Sequence, residues 1–419
     1  MTDYKRILQE ELVLALGCTE PIAIALAAAS AGQLLPEAIE RIELFASVSV
    51  IKNANSVFVP QSGGRQGPRI AAALGALCAN PQKSLRLLED VTEDIRHQAA
   101  KLVDRGSVSL QVQPDETGVY IRVEVAGSKH RAVAVVSGAH DRVSLRQLDD
   151  SITLKLEPAA AGGPLADRSG MSLDGIFAYA NEVDLTANPD LAALLQQQID
   201  SNMAIAKESL NGAWGQQVGR TMLMMAHGRP EMEATALAAA ASDARMAGCD
   251  APVTINAGSG NQGLTGSVPV VHMAQQLGSS QEQLYRALIL SNLLSIYQKQ
   301  FIGKLSAFCG AVSAAAAAGC GVALLKGMPR AQIEMTLTNT LAVSGGILCD
   351  GAKGSCAMKI AVALQNAFLG LEMARNNQVF QPGDGIVGDD TEETIRHIGT
   401  VAAEGMAPTD KTILRIMTE

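Results

Sequence analysis

Residues 305–325, LSAFCGAVSAAAAAGCGVALL, contain no charged residue and lie between Lys304 and Lys326. A helix of this length is long enough to span a bilayer. However, Ala, Gly and Ser provide little of the apolar surface that drives a helix into lipid, whereas they allow helices to pack closely. We therefore predict a helix buried in a protein core, and no membrane association.

The rest of the chain has a similar composition. Of its 419 residues, 47% are hydrophobic, only 3% are aromatic and 39 are glycine. Such a core consists of Ala, Leu, Val, Ile and Met, which suits packed helices better than a β-sandwich. The net charge of -9 argues against nucleic acid as the main partner, because phosphate binding needs clustered Lys and Arg.

Cysteine usage indicates the cellular compartment. Seven cysteines are spread thinly over the chain, unlike a secreted disulfide framework. The N-terminus, MTDYKRILQEELVLALG, lacks the pattern of a signal peptide. We expect a reducing cytoplasm, where clustered cysteines serve metals or catalysis more often than crosslinks.

The periodicity of apolar residues predicts an α+β fold, with an N-terminal α+β portion followed by a large helical domain. Four segments are expected, and the first of them could pack on either the second or the last. They are two N-terminal helices broken at Gly17–Pro21 (1–35), an α+β domain (36–156), a Gly-, Ala- and Pro-rich linker (157–170), and an Ala/Gly-rich all-helical domain (171–419).

Within the α+β domain, β-branched residues predict strands over 42–53 and 57–60. Apolar residues at three- and four-residue steps predict a helix over 81–103. Residues 107–148 hold four strand-like runs separated by turn signals, which predict a small antiparallel meander. In the helical domain, Gly-rich loops are expected at 257–266 and 345–354.

Three cysteines are candidates for a shared metal centre. Cys349 and Cys356 flank a loop containing Gly351 and Gly354, which could fold back to aim both sulfurs at one point. Cys309 would join them from a distant helix end, and three thiolates would leave one iron of a four-iron cluster without a protein sulfur. Spacing alone is equally compatible with buried packing cysteines, as we expect for Cys78, Cys249 and Cys320.

Cys18 has a different setting. It lies just before a predicted helix that Thr19 or Glu20 could cap and that Pro21 could begin. The positive end of the helix dipole would lower the pKa of its thiol. A reactive thiolate, a base, a fourth cluster ligand and a buried packing residue all remain open.

Two polar, Gly-rich segments resemble substrate-binding loops. The first spans residues 52–67 (KNANSVFVPQSGGRQG) and the second residues 256–263 (NAGSGNQG). Their amides, hydroxyls and backbone N–H groups could bind a carboxylate or a phosphate. The second segment is not a dinucleotide fingerprint, because it lacks the third Gly in register and a following βαβ unit.

These motifs together resemble the L-cysteine desulfidase family, which is related to the α chain of iron–sulfur L-serine dehydratases. The likeness extends from about residue 4 to 415. Five segments appear in the family's order: GCTEPIAIA (17–25), KNANSVFVPQSGGRQG (52–67), NAGSGNQGLTGSVPV (256–270), FCGAVSAAAAAGCG (308–321) and ILCDGAKGSC (347–356). The second segment contains no His, which favours the desulfidase branch over serine dehydratases.

The resemblance implies a cytoplasmic lyase with a 4Fe–4S cluster that converts L-cysteine to hydrogen sulfide, ammonia and pyruvate, with L-serine as a further candidate substrate. By position, Cys309, Cys349 and Cys356 match the cluster cysteines, and Cys18 matches a cysteine used in catalysis or near the cluster. We expect Cys18 to act as the base. Other residues are expected to bind a small amino-acid substrate: Asn53, Asn55, Ser62 and Arg65 at its carboxylate, and Ser259, Asn261 and Gln262 on the opposite wall.

Two other classes of protein stay open at this point. One is a non-catalytic cysteine-binding or redox-sensing cluster protein, and the other is a structural helical protein whose cysteines all belong to the core. Iron analysis would distinguish the structural protein from the two classes that contain a cluster. Turnover of L-cysteine would then distinguish the lyase from the non-catalytic protein. An Ala- and Gly-rich helical surface would suit a homodimer.

Overall fold

The strands lie mainly in the first half of the chain. A computed structural model describes residues 2–156, 166–303 and 305–419. In chain order the strands are β1 (Leu14–Leu16), β2 (Arg41–Ser47), β3 (Val108–Gln113), β4 (Tyr120–Ala126), β5 (Arg131–Ser137), β6 (Val143–Leu148), β7 (Ser151–Lys155) and β8 (Pro252–Thr254). β2 to β7 form one sheet, and β1 pairs with β8 in a second, two-stranded sheet.

The large sheet has the order β3-β2-β4-β5-β6-β7. β2 runs parallel to β3 and antiparallel to β4, and the remaining pairs are antiparallel. The predicted meander is therefore correct from β4 onward but wrong at its first strand. β2, an earlier strand with a buried face of Ile42, Leu44 and Ala46, lies between β3 and β4.

Helices make up most of the remaining structure, which confirms the predicted α+β class. They are α1 (Tyr4–Glu11), α2 (Thr19–Gly32), α3 (Val48–Ala54), α4 (Pro68–Cys78), α5 (Glu93–Asp104), α6 (Leu173–Glu182), α7 (Pro189–Asn211), α8 (Val218–Ala226), α9 (Pro230–Met246), α10 (Gly260–Gln276), α11 (Gln281–Ile302), α12 (Gly310–Leu325), α13 (Arg330–Ser344), α14 (Cys356–Arg375), α15 (Thr391–Thr400) and α16 (Ala407–Thr418). A 3₁₀ segment (Pro81–Asp90) and a π-helical turn (Val401–Gly405) complete the set.

Hydroxyl caps explain where the element predictions are wrong. The strand predicted over 42–53 ends at Ser47, whose hydroxyl accepts a hydrogen bond from the Val50 N–H and begins α3. Thr92 caps α5 in the same way and divides the helix predicted over 81–103. Ser259 begins α10, so half of the loop predicted over 257–266 is helical. Residues 57–60 form only an isolated bridge between Phe58 and Gln66.

The N-terminal segment contacts both parts of the fold. α1 packs against α7 and α11, β1 pairs with β8, and α2 packs against α4 and the large sheet. The break between the two helices extends from Leu12 to Cys18. Of the predicted linker, residues 157–165 lie outside the described residues, and 166–170 lead into α6 without a helix or strand.

The Ala-rich stretch forms α12, which is buried from Ala311 to Ala323 and packs against α10, α11, α13 and α14. This confirms the predicted core helix. Among the described residues, only α14 is long and apolar enough to cross a membrane by length and composition, and half of that window is buried inside the protein. A half-buried core helix passes the same test.

Candidate active site

Four helices begin at one pocket. Ser259 and Cys309 are the N-caps of α10 and α12, Cys356 is the first residue of α14, and Thr19 is the first residue of α2. All four residues line a pocket with an empty volume of about 700 Å³, its open mouth included. Free N–H groups and the positive ends of the helix dipoles make such a pocket attractive to anions.

A short bridge brings Cys309 and Cys349 together. Phe308 pairs with Leu348 in an isolated antiparallel bridge. The Cys309 N–H donates to the Ile347 carbonyl at 3.2 Å, and the Cys349 N–H donates to the Ala307 carbonyl at 2.7 Å. Since alternate residues of paired extended segments point to opposite faces, both cysteines lie on the face opposite Phe308 and Leu348.

The loop between Cys349 and Cys356 is fixed against α3. Gly351 has a φ of +93°, and a Cβ there would lie 2.8 Å from the Cα of Asn53. The Lys52 ammonium donates to the Cys349 carbonyl at 2.9 Å and to Asp410 at 2.7 Å. The Lys353 ammonium donates to the Asn55 carbonyl. These contacts place Cys349 and Cys356 at the pocket wall, as the Gly-bent loop predicted.

The three candidate cysteines are available as thiols at the pocket. All seven cysteines, each within the described residues, are free thiols. No three His, Cys, Asp or Glu side chains of the described chain are arranged to hold one metal ion. Diagonal neighbours across an antiparallel pair, such as Cys309 and Cys349, have Cα atoms roughly 7–8 Å apart. Cys309 and Cys349 therefore lie close enough to line the same pocket.

Burial controls the ionisation of these groups. Burial, followed by the charges of the neighbouring thiolates, raises the pKa of Cys309 to about 12. Burial raises the pKa of Cys356 to about 11. It also lowers the pKa of Lys299, on the pocket wall, to about 8, although nearby thiolates favour the ammonium form. A metal bound here must therefore displace thiol protons.

Cys18 lies behind the pocket wall rather than on it. It is 1% exposed and packs with Val57 and Met246 in a small hydrophobic group, which Cys356 also contacts. Cys18 itself is the N-cap of α2, and its side chain makes no capping hydrogen bond. The prediction that the helix dipole lowers its pKa is wrong, because burial outweighs that effect and raises the pKa.

The first predicted substrate loop reaches the pocket only through Asn53. Asn55 is not among the lining residues, and its carbonyl accepts from Lys353. The Ser62 hydroxyl accepts a hydrogen bond from the Arg65 N–H at 2.9 Å, which closes the local turn between these two residues. The Arg65 guanidinium forms a two-bond ion pair with the exposed Asp104. The structure therefore does not bring Asn55, Ser62 or Arg65 to the pocket.

The second loop does line the pocket. The Ser259 hydroxyl accepts from the Gln262 N–H at the start of α10, and the Gln262 amide donates to the Asn256 carbonyl at 3.1 Å. Asn261 accepts from Arg245 at 3.1 Å, and Arg245 also donates to the Gly17 carbonyl at 2.9 Å. Arg245 thus joins the second loop to the start of α2. Whether these residues bind substrate stays a prediction.

Several lining residues were not predicted from the sequence as binding groups, and the charged ones among them are Glu20, Arg245, Lys299 and Lys359. Glu20 was considered only as a helix cap, while Arg245 and Lys299 lie in helices with no motif around them. Burial alone would raise the pKa of Glu20, but His140 at 3.6 Å and a hydrogen bond from Asn53 lower it to about 2. Glu20 is therefore a carboxylate at neutral pH.

The fold and the pocket define an α+β protein with a thiol-lined site formed where helices begin. Residues 82–415 match the family described as serine dehydratase alpha chain, and this chain belongs to that family. The family indicates a lyase-type enzyme.

Similar proteins share the whole chain. The UPF0597 protein of Lachnoclostridium phytofermentans is 41% identical over 99% of both chains. The UPF0597 protein of Finegoldia magna is 40% identical over the full length of both. That of Treponema denticola is 40% identical over 99% of this chain and 97% of its own.

Proposed function

We propose that this chain is an iron–sulfur-dependent lyase that eliminates the β-substituent of L-cysteine, giving hydrogen sulfide, ammonia and pyruvate. The observation that best supports the proposal is the convergence of Cys309, Cys349 and Cys356 on one pocket. Membership of the serine dehydratase alpha chain family supports the same class of reaction. Free, partly accessible thiols suit a cytoplasmic location.

The three cysteines would hold a 4Fe–4S cluster. Their number suits it, because three thiolates leave one iron for the substrate. When bound, the cluster supplies a Lewis acid that polarises the carboxylate and the leaving group. The helix N-termini at the pocket would stabilise the negative charge of the thiolates and of the substrate.

The protein's own groups would supply proton transfer and orientation. Elimination needs a base for the α-proton, and we propose Cys18 for that role. Its raised pKa makes the thiolate scarce at neutral pH but strongly basic once formed. Because Cys18 is covered by the wall, a small movement of Ala352 or Cys356 would have to expose it. The released aminoacrylate hydrolyses to pyruvate and ammonia without a protein group.

L-serine is the second candidate substrate. The family description names serine dehydratase, whereas the segment 52–67 contains no His, which favours cysteine. The two substrates differ only in the leaving atom, so direct comparison of kcat/KM decides between them.

The test is anaerobic reconstitution with iron and sulfide. We expect about four irons and four acid-labile sulfides per chain, and equal amounts of sulfide and pyruvate from L-cysteine. A protein that takes up the cluster but releases no pyruvate from cysteine or serine would contradict the lyase proposal and favour a cysteine-binding or redox-sensing protein. A protein that takes up no iron would favour purely structural cysteines.

A further inference from the structure

The pocket contains buried charges of both signs to which no ligand contact has been assigned so far. Within the fold, Glu20 faces His140 at 3.6 Å. Glu20 and Lys299 both line the pocket, and each is less than a tenth exposed. Transferring an ion out of water costs several kcal/mol unless a partner compensates. Buried charges that face a cavity are therefore candidates for ligand contacts.

The Glu20 side is built to receive a cation. Its carboxylate accepts hydrogen bonds from the Thr19 hydroxyl at 3.1 Å and from the Asn53 amide nitrogen at 2.9 Å. The other atom of that amide, Asn53 Oδ1, is buried and accepts no hydrogen bond from the described residues. A carboxylate and an unused amide oxygen side by side form a site for an ammonium group.

The Lys299 side is built to receive an anion. Lys299 is 7% exposed, and its ammonium makes no direct hydrogen bond or ion pair with any described residue. The negative groups that act on it are Cys349 and Cys309, when they are thiolates, and Glu11. By contrast, the fully buried Lys52 donates hydrogen bonds to Asp410 and to the Cys349 carbonyl. The four helix N-termini add positive potential around Lys299. A carboxylate is the group that such a position favours.

We propose that the pocket binds its substrate as an α-amino acid zwitterion, with Glu20 and Asn53 Oδ1 at the α-ammonium and Lys299 at the α-carboxylate. This inference rests on the proposed function for the identity of the site. It moves Asn53 from the carboxylate, where the sequence predicts it, to the ammonium. Lys299 replaces Asn55, Ser62 and Arg65, which lie away from the pocket, as the partner of the carboxylate. The side chain of the substrate would then point toward the cysteines.

Two truncated ligands test the assignment. Cysteamine lacks the carboxylate of L-cysteine, and 3-mercaptopropionate lacks the ammonium. We expect Lys299→Met to weaken L-cysteine binding about 10- to 100-fold while leaving cysteamine binding unchanged. Glu20→Gln should weaken L-cysteine and cysteamine binding similarly and leave 3-mercaptopropionate unaffected or bound more tightly.

Anaerobic calorimetry of the cluster-free protein measures these affinities without turnover, so the inference can be judged separately from the lyase proposal. If both variants lose L-cysteine binding but the wild-type protein turns over no amino acid, the binding assignment stands and only the lyase proposal is rejected. Lys207→Met, an exposed lysine of α7, is the matched control and should bind all three ligands normally. The assignment is wrong if Lys299→Met weakens the binding of L-cysteine and of cysteamine equally, or if it weakens the binding of neither ligand. Asn53→Leu provides a second test of the ammonium site if Glu20→Gln does not fold.

Discussion

At the level of single residues, the three pocket cysteines should differ sharply from the others. We expect Cys349→Ser to lose iron after reconstitution, because a serine hydroxyl is a poor substitute for a thiolate at iron. Cys78→Ser is the matched control, since Cys78 is a half-buried free thiol of α4 outside the pocket. Iron and acid-labile sulfide analysis checks both variants. Equal iron contents would contradict the assigned ligands.

Cys18→Ala should separate catalysis from cluster binding. The residue lies behind the wall, so the variant should keep its iron while kcat falls about 10²- to 10⁴-fold, the contribution of a general base. Because burial raises the pKa of Cys18, wild-type activity should also increase with pH above neutrality. Full activity in the variant would remove Cys18 from the mechanism, and iron loss would make it a ligand instead.

The ionised Glu20 predicts acid-sensitive stability. Its pKa is near 4.5 in the unfolded chain and about 2 in the folded protein. The group therefore stabilises the fold above pH 4.5, and about 3 kcal/mol is lost as the pH falls toward 2. In denaturant unfolding, the difference in free energy of unfolding between wild type and Glu20→Gln should become smaller as the pH falls over this interval. A constant difference for Glu20→Gln would contradict the pKa.

The residues that sequence patterns could predict are those that belong to motifs. Cys309, Cys349, Cys356 and the second loop were found because glycines around them indicate bends. Arg65 was expected at the site for its charge, but a local ion pair with Asp104 satisfies it. Lys299 was missed because its helix resembles any other, and only the tertiary structure shows that its side chain is buried without a partner.

At the level of elements, the close contact of α2 with α4 supports the pocket wall. A Cβ on Gly75 of α4 would lie 2.5 Å from the Cα of Ala25 in α2. We expect Gly75→Ala to separate the helices and lower the free energy of unfolding by about 1–3 kcal/mol. Gly345→Ala is the control, because Gly345 has a φ of -62° and no atom within 4 Å of its would-be Cβ. Thermal unfolding of both variants checks the prediction; equal midpoints would contradict it.

Elements were predicted well wherever one pattern ran without interruption, as in α12 and in the strands from β4 to β6. Errors arose where a single hydroxyl starts a helix, as at Ser47 and Thr92, since apolar residues continue on both sides of the cap. The insertion of β2 between β3 and β4 is a long-range pairing, and turn signals between neighbouring strands give no information about it.

At the level of the whole molecule, removal of the metal should leave the fold intact. The cysteines lie in loops and at helix ends, while the core of α9, α10, α12 and α14 is packed by apolar side chains. We expect cluster-free protein to keep its far-ultraviolet circular dichroism and to unfold at a lower temperature, because ligands stabilise only the folded state. Proteolysis should become faster within 345–355. Loss of helical signal on removal would show instead that the cluster is required for folding.

The distribution of the pocket along the chain has a consequence for biosynthesis. Thr19 stands near the beginning, whereas Lys52, which fixes the Cys349 loop, is itself held by Asp410 near the end. In a nascent chain Lys52 cannot be held in this way until Asp410 has left the ribosome. Delivery of iron and sulfide by an assembly system should therefore follow the synthesis of α16, and a chain terminated before Asp410 would compete poorly for that supply.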